Sequence, residues 1–186
     1  MAIVAEAAPL ITAEQFAQRP DSGYPEELVR GRIVPLPPPK PRHGYVCNKA
    51  GRIFGNFVED HRLGWVLSND TGVITERDPD TVRGGDVLYY SYDRLPPGEL
   101  PESYAAVAPE MVVEVRSPGD RWPKVLAKVA EYLEAGVLIV LVLDDNRRAA
   151  HVFDAEGAHR MLGPDDELTL PELLPEFRVV VRRFFE

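Results

Sequence analysis

Residues 110–131 carry an apolar strand with one embedded acid, then a tight Ser117-Pro118-Gly119-Asp120 turn, then an amphipathic segment bearing lysines. In Met111-Val112-Val113-Glu114-Val115-Arg116 successive side chains take opposite faces, so Val112, Glu114 and Arg116 share one face and Met111, Val113 and Val115 the other. An ionised carboxylate among valines is costly unless a cation, a donor or a proton meets it. Upstream, Asp86 heads a second apolar run, Asp86-Val87-Leu88-Tyr89-Tyr90, directly after Gly84-Gly85. Two strands that each present an acid at one sheet edge make a hard-oxygen pocket suited to Mg²⁺. Read alone, Asp86 is a turn residue bonded to backbone and Glu114 is half of a structural ion pair with Arg116 or Lys128. Each acid gains chemical meaning from the other.

The elements that would position these acids are legible around them. A helix is expected over residues 120–135, with Asp120 as its cap, Pro123 in its first turn and Gly136 stopping it. Its core stripe is Trp122, Val125, Val129, Tyr132 and Leu133. Lys128 lies at the edge of that stripe, from where its ammonium can run along the sheet toward Glu114, while Lys124 sits closer to solvent. Residues 137–143 form the longest apolar run and read as a central strand, turning at Asp144-Asp145-Asn146-Arg147 into a partner strand over 149–153.

Earlier in the chain, Thr12-Ala13-Glu14-Gln15 is a capping box opening a short helix. Residues 27–36 read as a hairpin around Arg30-Gly31, ended by a proline-rich connector that places a helix over 43–61. Short strands are expected at 65–67, 72–74 and 86–90, with a terminal strand at 177–181. Glu27 could add a carboxylate from the hairpin, and His43 could touch phosphate.

At 186 residues and 45% hydrophobic, the chain supports one domain spanning 1–186. No run approaches the roughly 18 apolar residues of a membrane span. Met1-Ala2-Ile3-Val4-Ala5-Glu6 lacks the features of a secretory signal, so a cytoplasmic protein with no membrane partner is expected. The single cysteine, Cys47, excludes an intrachain disulfide and a cysteine-based zinc site, and reads as a packed helix residue. A net charge of −9 argues against non-specific duplex binding but not against a nuclease, whose bound metal would offset part of it. Two local basic clusters exist, Arg30, Arg32, Lys40 and Arg42, and Arg116, Arg121, Lys124 and Lys128. No glycine-rich phosphate loop follows a strand, which disfavours dinucleotide-binding and P-loop folds, and no Ser-His-Asp set suggests a hydrolase triad.

Asp86, then Glu114-Val115-Arg116, then a helix with Lys128 resembles the PD-(D/E)XK nuclease superfamily, the fold of many restriction endonucleases. More narrowly, Ala108-Pro109-Glu110-Met111-Val112-Val113-Glu114-Val115-Arg116-Ser117-Pro118-Gly119-Asp120 and Lys128-Val129-Ala130-Glu131-Tyr132-Leu133-Glu134-Ala135-Gly136-Val137 resemble the Uma-type restriction endonucleases. The similarity runs from the Glu27 hairpin and His43 to Leu173-Leu174-Pro175-Glu176-Phe177.

The resemblance implies a restriction-endonuclease-like α/β fold, a mixed β-sheet flanked by helices. It implies a metal-dependent endonuclease hydrolysing phosphodiester bonds of nucleic acid, with DNA the first candidate. Asp86 and Glu114 would hold Mg²⁺, or Mn²⁺ in its place, with the Val115 carbonyl as a third ligand, and Lys128 and Arg116 would neutralise transition-state charge. Two positions depart from the superfamily pattern: Gly85 replaces the proline before the aspartate, and Arg116 stands where the motif lysine sits. An arginine stays protonated and cannot act as a general base; the resemblance implies that Lys128 would carry the lysine's role from the helix. A homodimer or higher homo-oligomer is expected from paired cutting of a duplex, with Tyr89, Tyr90, Tyr92 and Phe184-Phe185 as its apolar surface. The alternative is a catalytically inactive nuclease-fold module for binding or assembly.

Overall fold

The computed structural model of the chain describes residues 9–186, so the signal-sequence reading of residues 1–6 lies outside the described residues. A mixed sheet forms the centre. A hairpin of β1 (Glu26–Val29) and β2 (Arg32–Pro35) precedes helix α2 (Pro41–Asp60), itself preceded by a short α1 (Ala13–Ala17) whose Thr12–Gln15 capping box forms as expected. Strands β3 (Gly64–Glu76), β4 (Thr81–Ser91) and β5 (Met111–Arg116) lead to helix α3 (Trp122–Glu134), and β6 (Ile139–Asp144), β7 (Ala149–Asp154) and β8 (His159–Leu162) complete the sheet. Strands β9 (Glu167–Leu170) and β10 (Leu174–Val180) make a separate antiparallel pair, followed by a 3₁₀ turn at Val181–Phe184. The main sheet runs β2-β1-β4-β5-β6-β7-β8 with β3 also on β4, and only β5–β6 is parallel, joined through α3. Among the described residues no helix is long and apolar enough to cross a membrane.

The two-residue periodicity of the central strands decides the layers. Val87, Tyr89, Met111, Val113 and Val115 face α2, whose Val46, Ala50, Phe54 and Val58 are buried against them. Leu88, Tyr90, Val112, Val140 and Val142 face α3 through Val129 and Tyr132. The β9–β10 pair and the C-terminal turn close the α2 face, where Phe54 stacks on Phe177 at 4.9 Å and Phe184 at 5.7 Å. Such aromatic pairs add about 0.5–1.5 kcal/mol each beyond area burial.

Several sequence expectations are corrected. The strands at 65–67 and 72–74 are one strand, β3, because Asn69 and Asp70 form a bulge with φ of 68° and 54° rather than a turn. Helix α2 starts at Pro41, the last proline of the connector, since a proline costs nothing at a position without a helical donor role. Helix α3 starts after Arg121; Asp120 does not cap it, because its carboxylate already accepts the Ser117 amide at 2.8 Å. Asp144 is not a turn residue but the fully buried end of β6. Of the residues expected to form a dimer surface, Tyr89, Tyr90, Phe184 and Phe185 are buried in the core of this chain, which leaves the half-buried Tyr92 alone.

At the far side of the α3 layer, His151 Nδ1 lies 3.1 Å from His159 Nε2, and the buried His151 Nε2 has no hydrogen-bond partner among the described residues. Burial, then the neighbouring His159, push the His151 pKa below its ordinary 6.5. Protonation would bury an unpaired N–H, so the unfolded chain takes the proton first. Stability attached to the neutral ring is present above 6.5 and is lost as pH falls below it. The melting temperature of the parent should therefore drop more steeply on acidification than that of His151→Phe; parallel pH profiles would refute this.

Candidate metal and nuclease site

The topology opens a fork on one edge of β4. That edge pairs with β1 at Val82 and with β5 from Val87 to Tyr89, leaving residues 83–86 between two strands that diverge. Backbone groups there lack ladder partners and must be satisfied by side chains. Glu27 of β1 accepts the Gly84 amide at 3.3 Å, while Tyr132 Oη and Lys128 Nζ of α3 donate to the Gly84 carbonyl at 3.1 and 3.4 Å. A Cβ at Gly85 would meet the buried Leu88 Cδ2, so a side chain before Asp86 requires Leu88 to shift.

Asp86 is next to the fork, one step beyond the Val87–Val113 pair and hence opposite Glu114. Its Oδ2 accepts the Val115 amide at 2.6 Å and its Oδ1 lies 3.0 Å from His43 Nε2, so the carboxylate is held in the sheet plane between the two layers. Glu114 projects toward α3. Its Oε1 accepts from Tyr132 Oη at 2.8 Å and from Lys128 Nζ at 3.2 Å. Lys128 also lies 3.2 Å from Glu27 Oε1, and Arg83 bridges Glu27 at 2.8 Å and Glu131 at 2.6 Å.

The charge state of each group in this cluster depends on its neighbours. Burial, together with the nearby Asp86 charge, raises the Glu114 pKa to about 7, against the pull of Lys128 and Tyr132. Burial opposes the Lys128 ammonium, yet Glu114, Glu27 and Asp86 outweigh it and hold the lysine above its ordinary range. Its acidic neighbours thus favour the charged form of Lys128. Carboxylates that remain this crowded beside a lysine favour an added hard cation, and an all-oxygen donor set of Asp86 and Glu114 fits Mg²⁺ or Mn²⁺.

Asp86, Glu114, Val115 and Lys128 are thus brought together, and Glu27 and His43 join them. Arg116 is not brought to them. Its guanidinium pairs with the buried Asp144 at 3.0 Å, donates to the Asp120 carbonyl at 2.8 Å and lies over Trp122 at 4.9 Å. Sequence reasoning missed three participants. Tyr132 looked like core, because a tyrosine on an apolar stripe carries no sign of where its hydroxyl points. Arg83 was hidden in a strand with no recognised partner. Asp70 sits on the β3 bulge with its Cβ against Gly84, at the solvent rim of the site, where burial and then Asp86 raise its pKa. A polar Ser-Asn-Asp stretch inside a strand was the available signal for it.

A family model described as "Uma2: Putative restriction endonuclease" matches residues 13–182. A solved structure of "a putative nuclease belonging to DUF820" from Anabaena variabilis ATCC 29413 shares the fold, with a TM-score of 0.77 and 19% identity over 94% of this chain and 97% of that one. No curated protein matches the chain. The fork, its paired acids and the helix lysine lie within the matched span, and the chain belongs to the Uma2 family of putative restriction endonucleases.

Proposed function

We propose that this chain is a Mg²⁺-dependent endonuclease of nucleic acid, with DNA as substrate, acting in the cytoplasm at the β4 fork. The observation that carries the reading is the position of the Lys128 ammonium, 3.2 Å from Glu114, beside the strand pair that aligns Glu114 with Asp86. Asp86 and Glu114 would hold the metal. In an extended residue the carbonyl points to the same edge as the amide, so the Val115 amide's bond to Asp86 supports the Val115 carbonyl as a third ligand. A bound metal would polarise the scissile phosphate and acidify the attacking water.

The chain's own groups supply the rest. Lys128 holds a permanent positive charge where the phosphorane anion develops. Tyr132 and Lys128 fix the Glu114 carboxylate, and His43 with the Val115 amide fixes Asp86. Arg116 acts by holding the end of β5 through Asp144 rather than by touching substrate. A homodimer or higher homo-oligomer would pair two such sites for cutting both strands of a duplex.

The test is cleavage of duplex DNA, single-stranded DNA and RNA with Mg²⁺, with chelator, and with Glu114→Gln. Cutting of DNA that chelator and Glu114→Gln both reduce to background is expected. Metal binding by a parent that cuts none of the three would instead return the inactive binding module.

A further inference from the structure

We propose that His43, Cys47 and Asp86 form a second cation site, for a zinc-class transition metal, on the α2 side of the fork. Their ligand atoms all lie within 4.8 Å of one another. His43 and Cys47 are four residues apart on α2, which stacks them on one face of its first turns, and Asp86 meets them from β4. His43 Nε2 and Asp86 Oδ1 are already 3.0 Å apart. Tetrahedral zinc with N, O and S ligands needs donor separations of about 3.3–3.6 Å, so small side-chain adjustments close the site.

The histidine is also prepared from behind. Its Nδ1 lies 3.3 Å from Ser117 Oγ, the outer hydrogen bond that orients a metal-bound imidazole and fixes its tautomer. One sulfur, one nitrogen and one carboxylate oxygen select zinc, cobalt or nickel over Mg²⁺. The expectation that one cysteine excludes a cysteine-based zinc site is thereby narrowed to sites with several cysteines: Cys47 supplies the one thiolate of a mixed site, and water completes the fourth position. Because Asp86 belongs to both sites, occupancy here withdraws it from the Glu114 side and inhibits. That consequence alone rests on the nuclease reading.

Co²⁺ added to the full chain in Mg²⁺-free buffer is the probe. The expected result is a thiolate-to-cobalt charge-transfer band in the near ultraviolet, displaced by Zn²⁺. Cys47→Ser should abolish the band and weaken Co²⁺ binding by at least about 10-fold, the lower bound for losing even an outer-shell partner. Glu114→Gln should keep the band while losing Mg²⁺ binding, which separates the two sites whether or not the chain cleaves. No band in the parent, or a band that survives Cys47→Ser, overturns the proposal. Where Mg²⁺-dependent cleavage is measured, Zn²⁺ should inhibit the parent and spare Cys47→Ser; equal inhibition of both overturns the inhibitory role.

Discussion

Lys128→Ala should lower the rate of metal-dependent cleavage by roughly 10² to 10³, the loss expected when one preorganised charge is removed from a developing anion. Trimming a mostly solvated lysine at the edge of a helix stripe would cost only about 0.5 kcal/mol. The structure changes that second figure. The Lys128 side chain is only 19% exposed and bridges two carboxylates, Glu27 and Glu114, at 3.2 Å each. Removing it strands buried negative charge, and a cost of about 2–3 kcal/mol follows, moderated because Arg83 still reaches Glu27 and Tyr132 still reaches Glu114. Metal affinity should move the other way, because the acids lose the cation that competes for them. Lys128→Ala with slower cleavage, a lower melting temperature and undiminished Mg²⁺ binding is the expected pattern; Lys124→Ala, on the exposed face of α3, should match the parent in all three. Parental cleavage by Lys128→Ala would remove the lysine from the mechanism.

The second large effect is on stability. Arg116 and Asp144 are paired at 3.0 Å, with Asp144 fully buried and Arg116 12% exposed on its side chain. Losing one member of such a pair costs about 3–5 kcal/mol, because the other is left charged and dry. For a chain of this size that corresponds to a fall in melting temperature of roughly 6–20 °C. Asp144 keeps its bonds from the Asn146 and Arg147 amides, so Arg116→Ala should fall at the lower end of that range. Arg116→Ala with Asp144→Asn should recover part of the loss, since the unpaired charge is gone. Cleavage should suffer less in Arg116→Ala than in Lys128→Ala when both are measured well below their melting temperatures. The reverse order would place Arg116 at the reacting phosphate.

What the sequence disclosed follows from which interactions are local. The alternation in residues 111–116 put Glu114 on the α3 face, and helical spacing put Lys128 at the edge of the stripe; both are periodic facts of one element and both hold in the structure. The β1–β2 and β6–β7 hairpins were visible because turn residues interrupt apolar runs. What escaped depends on which strands become neighbours. The fork arises because β1 and β5 share one edge of β4, and no local pattern encodes that pairing. Asp144 looked like a turn acid because its partner, Arg116, is 28 residues away in the chain. Strands β8 and β9 were unread because exposed residues such as His159, Arg160 and Met161 break the apolar pattern. The tyrosines of β4 looked like a sticky surface, yet both layers of helix and strand close over them.

The proposed nuclease requires that Asp86 and Glu114 jointly bind a divalent metal. Titration calorimetry with Mg²⁺ and Mn²⁺ on the parent and on Asp86→Asn tests it without requiring a substrate. Binding in the parent that is lost in Asp86→Asn, with the variant's folding confirmed by an unchanged circular dichroism spectrum, is the expected result. Equal metal affinity in the two proteins would rule out a metal held between Asp86 and Glu114.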